Sequence, residues 1–178
     1  MKIIAGILLA ASAAIAQEPS FEGGKLVRPG NYREWIFLSS GLGMTYGGET
    51  GASEPSFDNV FVNPSAYRAF LETGKWPDKT IFVLEVRSSA TNGSINKGGH
   101  YQSDRFRLSA EVKDSSRFKD KWEYFAFPAN GDPAPPLPKS AGCFACHSQH
   151  GAVENTFVQF YPTLLPIAKA KATLKSAY

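Results

Sequence analysis

Thr80-Ile81-Phe82-Val83-Leu84-Glu85-Val86 is the stretch on which the fold turns. It is rich in β-branched and aromatic side chains, which pack well on a pleated surface, and it contains no Gly or Pro. It reads as a strand. Asn92 to Gly99 follows as a turn region. Phe106, Leu108, Ala110 and Val112 then alternate with polar or charged partners, so 101–112 reads as a strand with one wet face. Lys121 to Phe127 is a further strand. Upstream, Phe57 to Val62 alternates as a strand, and Asn63-Pro64 has the form of a helix start. Tyr67, Phe70 and Leu71 share one helical face, and Gly74 closes that helix. Trp35 to Leu38 is a shorter strand, and the Gly-rich stretch Gly41 to Pro55 is a loop.

The pattern predicts a compact, partly β domain. The composition agrees. With 178 residues the chain has room for one real core. Its 16 Gly and 12 Pro exclude a helical bundle, because each weakens a helix interior by about 1 and 3 kcal/mol respectively. A net charge of +3 with scattered basic residues argues against nucleic acid as a partner. Two cysteines are too few for a disulfide framework.

Residues 1–16 have a basic start, an apolar run and Ala14-Ile15-Ala16, the form of a cleaved signal peptide. A membrane anchor or a buried helix is the alternative reading. Cleavage after Ala16 would leave a chain of charge +2, exported to the periplasm, with no membrane span. Residues 17–30 read as a flexible lead-in, and 31–178 as the domain proper. Residues 128–138 carry Pro128, Pro133, Pro135, Pro136 and Pro138, so they form an extended connector. Residues 163–175 read as a short closing helix.

The connector leads into Cys143-Phe144-Ala145-Cys146-His147, the attachment pattern of a c-type haem. Two thiols three residues apart on a helical turn can each form a thioether with a haem vinyl group. The next residue, His147, is then held beside the iron as an axial ligand. The chain's only cysteines stand at this spacing. A redox dithiol shares the spacing but needs a βαβ context, which is missing here. A structural zinc would need four ligands from Cys143, Cys146, His100, His147 and His150. One covalently bound haem c is the expected cofactor.

A low-spin electron carrier also needs a second strong ligand. Met44 is the one methionine left after processing, and it precedes the motif. His150 lies on the same local segment as His147, and His100 follows Gly98-Gly99 in a turn. The iron's other face is therefore expected to be open to a small ligand.

These segments together resemble the cytochrome P-460 family, which includes the β-sheet cytochromes c′. The resemblance spans Tyr32 to Leu165. It is carried by Tyr32-Arg33-Glu34-Trp35, by Val60-Phe61-Val62-Asn63-Pro64 with Tyr67, and by Thr73-Gly74-Lys75-Trp76-Pro77-Asp78. Ala110-Glu111-Val112-Lys113-Asp114 with Arg117-Phe118, the haem motif, and Phe157-Val158-Gln159-Phe160-Tyr161-Pro162 complete it. It implies an α+β fold, mainly antiparallel β-sheet with a few helices, one haem c with a histidine ligand, and a homodimer. One branch of the family oxidises hydroxylamine and carries a lysine cross-linked to the haem; the other lacks the cross-link and binds nitric oxide or carbon monoxide. Leu84 stands where that lysine would be, and residues 133–142 hold no Asp or Glu.

Both departures favour the uncross-linked branch. The expected function is a cytochrome whose iron binds nitric oxide or a similar small neutral ligand. The alternatives are a hydroxylamine or nitric oxide oxidoreductase, and an electron carrier with a cytochrome as redox partner. Phe57, Phe61, Phe82 and Leu84 are the candidates for the lining of the distal pocket. No catalytic residue is identifiable from the sequence.

Overall fold

The computed structural model describes residues 18–46 and 54–178. The signal-peptide segment lies outside the described residues. The fold is α+β, built on five antiparallel strands: β3 (Ile36–Leu42), β4 (Ser56–Val62), β5 (Thr80–Ala90), β6 (Tyr101–Lys113) and β7 (Trp122–Phe127). Each strand pairs with the next in sequence, so the sheet is a meander. Helix α1 (Pro64–Thr73) interrupts it between β4 and β5, with Pro64 at its first turn and Gly74 left-handed at its C-cap. Helix α2 (Cys143–His150) follows the proline connector, and α3 (Leu165–Ala170) lies near the end of the chain.

The expected strands are all present, and the decisive one runs four residues further, to Ala90. The short closing helix is confined to Leu165–Ala170. The lead-in differs from its reading. Two short strands, β1 (Phe21–Glu22) and β2 (Lys25–Leu26), form a hairpin. Leu26 is fully buried, and its backbone exchanges hydrogen bonds with Ala134 in the connector. Burial of one leucine and two backbone bonds holds down a segment whose Gly/Pro content alone suggested a loose chain.

Register divides the sheet into two faces. Val62, Phe82, Glu111 and Tyr124 form one row across β4 to β7. Val60, Leu84, Ser109 and Ala126 form the next, and Asp58, Val86 and Arg107 the third. Side chains two apart on a strand share a face, so all three rows lie on one face. Its first row is covered by Ala66, Phe70, Trp76, Val153, Val158, Tyr161, Leu164 and Ala168, which pack on Leu38, Val62, Phe82 and Trp122. The later rows are less covered: Val60, Leu84 and Val86 are half-buried, and Ala126 is exposed.

The opposite face carries Phe61, Val83, Ala110 and Phe125, packed under Leu26, Tyr32, Trp35 and Ala134. It also buries Glu85 completely. Tyr32 donates to Glu85 at 2.5 Å, Arg33 at 2.6 and 2.8 Å, and Arg87 at 2.6 and 3.1 Å. A buried carboxylate needs such partners to remain charged. Among the described residues no helix is long and apolar enough to cross a membrane.

Candidate functional site

Gly142 is left-handed (φ 78°), and this turn starts α2 immediately after the connector. The helix presents Cys143 and Cys146 as free, partly exposed thiols one turn apart. It sets His147 against the first row of the sheet. The imidazole ring lies 4.7 Å from the Tyr124 ring and 4.5 Å from the Phe157 ring, centroid to centroid.

The two ring nitrogens differ in their surroundings. Nδ1 lies 2.9 Å from the Asn155 carbonyl oxygen, to which it donates when protonated. Glu111 Oε2 is also 3.0 Å from Nδ1, but off the N–H direction. Burial pushes the imidazole's pKa down; the charge of Glu111 and the two nearby oxygens push it up, and the net shift is upward. With Nδ1 committed as donor, Nε2 carries the lone pair, the form in which histidine ligates a metal.

The Asn155 carbonyl is itself held in place. Thr156 accepts a hydrogen bond from Trp76 Nε1 at 2.8 Å and donates to the Val153 carbonyl. Gly151 ends α2 with its N–H on the His147 carbonyl; a Cβ there would meet backbone atoms of His147, Asn155 and Thr156 at 2.7 Å. Gln159 joins the segment by accepting from the Ala152 N–H and donating to the His150 carbonyl.

The four distal candidates are not brought together. Leu84 is half-buried on the same sheet face as Glu111 and Tyr124, in a cleft of about 490 Å³ with Val86, Ser109 and Ala126. Phe82 shares that face but is buried in the core, 4.7 Å from Trp76 by ring centroid. Phe57 and Phe61 lie on the opposite face. Phe61 packs edge-on against Tyr32 and Phe37, each at 5.6 Å. The reason is register: Val60 pairs with Leu84, so the odd positions of β4 point the other way. His100 and His150 are exposed, and Met44 is half-buried in the loop after β3. Among the described residues, no group of three or more His, Cys, Asp or Glu is placed to hold a metal ion, so the four-ligand set of a zinc site is not assembled.

Two groups that sequence reasoning missed belong to the Leu84 face. Asp58 stands in the third row opposite Val86, and the Tyr46 hydroxyl is 3.4 Å from its Oδ2. Burial raises the Asp58 pKa, against the opposing pull of Tyr46 and Arg107. The signal for Asp58 was its alternation with Val60, but it required the β4–β5 register.

A family model for Cytochrome P460 matches residues 29–158. The chain belongs to the cytochrome P460 family. The matched span holds the whole sheet, the connector, α2 and the Asn155 segment. Membership in the cytochrome P460 family makes the chain a haem cytochrome. No curated protein matches it. The chain's own chemistry fits the group: two free thiols on one helical turn, an imidazole whose Nδ1 is committed and whose Nε2 is not, and a partly uncovered apolar strip of sheet at Val60, Leu84 and Val86.

Proposed function

We propose that this protein is an exported mono-haem c cytochrome of the uncross-linked P460 type, whose iron binds nitric oxide or a similarly small neutral ligand. The observation that carries the reading is Leu84. It stands on the cleft-facing side of β5, where the family resemblance puts the cross-linking lysine of the hydroxylamine-oxidising branch, and a leucine has no nucleophile to offer.

In this reading Cys143 and Cys146 hold the haem through thioethers, and His147 ligates the iron through Nε2. Haem bound there supplies an iron with one coordination position left for an exogenous ligand. The chain's part is positioning and exclusion. The Asn155 carbonyl and the Glu111 carboxylate orient the imidazole and raise its basicity as a ligand. Val60, Leu84 and Val86 form an apolar strip that disfavours water and charged ligands relative to diatomics. The periplasm is the compartment proposed from the signal-peptide reading of 1–16. A homodimer is proposed from the family resemblance.

A second reading, a hydroxylamine or nitric oxide oxidoreductase, is favoured by one observation. Asp58 and Tyr46 lie on the Leu84 face, and a carboxyl with a raised pKa is suited to accept substrate protons. An electron-transfer cytochrome finds no comparable support.

The ferrous absorption spectrum, with and without nitric oxide, tests these readings. A five-coordinate c-type spectrum that changes on adding nitric oxide is expected. A Soret band shifted far to the red would move the assignment to the cross-linked enzymes. A six-coordinate low-spin spectrum indifferent to nitric oxide would overturn the ligand-binding reading.

A further inference from the structure

Behind the segment that positions His147 lies a second concavity, of about 610 Å³. Its walls include Lys75, Lys113, Lys121 and Lys171, with Trp122, Glu154 and Thr173. Lys113 is internally balanced: its ammonium donates to Glu154 and to the Trp76 carbonyl. Asp120, also in the lining, pairs with Lys139. Lys75, Lys121 and Lys171 have no carboxylate partner among the described residues.

The fold brings these three lysines to the wall of one cavity from three distant segments. Gly74 is left-handed, and a Cβ there would lie 2.7 Å from Lys171 Cβ, so a glycine lets Lys171 approach the end of α1. Lys121 (φ 65°) and Ala172 (φ 52°) are themselves left-handed, a conformation that is strained for a non-glycine residue.

We infer that this cavity binds a multivalent oxyanion, a polycarboxylate or a phosphate compound. Three lysines without carboxylate partners leave the concavity with an excess of positive charge, and a bridging anion would balance it while accepting their N–H bonds. Lysine suits such a ligand because its ammonium is a compact charge on a flexible stem that can close on oxygens of varied spacing. A concavity of this size matches a small molecule better than a flat acidic protein surface. The Thr173 hydroxyl adds a polar group to the wall. The inference uses none of the proposed haem-binding side chains, so its failure is separable from failure of the haem reading.

The test is calorimetric titration of the intact haem-loaded protein with citrate and, separately, with inorganic phosphate, at constant ionic strength. Saturable one-site binding of at least one of them is expected. It should weaken by tenfold or more in the Lys121→Ala/Lys171→Ala double variant and stay unchanged in Lys25→Ala, whose lysine lies in the remote hairpin. Tighter citrate than phosphate identifies a polycarboxylate site; the reverse order identifies a phosphate site. Bound anion should also raise the melting temperature of the parent protein but not of the double variant. Equal binding by the double variant, or equal loss in Lys25→Ala, would overturn the inference. So would the absence of saturable binding by both anions, including the case where an acidic protein binds instead.

Discussion

Trp76 Nε1 donates to Thr156 Oγ1 at 2.8 Å, joining residues 80 positions apart in a fully buried contact. Trp76 follows α1 and packs at a tilt against Phe70, 4.1 Å between ring centroids, while Thr156 adjoins the carbonyl that accepts from His147. The bond ties the core on one face of the sheet to the geometry of the proposed iron ligand.

Thr156→Val keeps the shape and removes the acceptor. It should destabilise the protein by about 1–3 kcal/mol, because the indole N–H is left buried without a partner. Urea unfolding of the haem-loaded protein measures this. An unchanged midpoint would mean that the hydrogen bond contributes nothing net.

Glu85 sets an acid limit on stability. Burial alone would raise its pKa, but hydrogen bonds from Arg87, Tyr32 and Arg33 override this and hold it at about 2, below the usual 4.5. The folded value lies below the unfolded one, so the carboxylate contributes fully above about pH 4.5. The contribution falls away as pH drops towards 2, and amounts to at most about 3 kcal/mol. Glu85→Gln should flatten the fall in unfolding free energy between pH 5 and about pH 2 and lower stability at neutral pH. Denaturant midpoints across that range, parent against variant, check both the sign and the window.

His147→Ala should abolish the proposed axial ligation while both thioethers still form. The absorption spectrum should change, and the protein's mass should still include the haem. An unchanged spectrum would remove His147 from the iron.

Glu111→Gln should raise the haem reduction potential. The carboxylate 3.0 Å from Nδ1 stabilises positive charge on the imidazole and the iron, and the amide does not. A potentiometric titration at fixed pH and ionic strength decides this; a potential unchanged or lowered would count against Glu111 as a positioning residue.

Peptide mass spectrometry should find haem joined only to the fragment that carries Cys143 and Cys146. An adduct joining haem to a second, lysine-containing fragment would show that the alignment placing Leu84 at the cross-link position is wrong.

Local chemistry made much of the fold legible. β-branched content marked β5, alternation marked β6, and Asn63-Pro64 with Gly74 bounded α1, because propensity, pattern and capping agree there. The Cys143-to-His147 spacing is contiguous, so it too could be read directly. The β1–β2 hairpin could not, since Leu26 is ordered by a partner at Ala134, far along the chain. The sequence by itself determined a run of strands around one early helix, with the haem motif on a helical turn behind a proline connector; the order of the strands in the sheet came from the structure. Tertiary structure alone decided which side chains face that helix. A strand exposes alternate residues to opposite faces, and strand register, a long-range property, set Leu84 and Asp58 on the His147 side and Phe57 and Phe61 on the other.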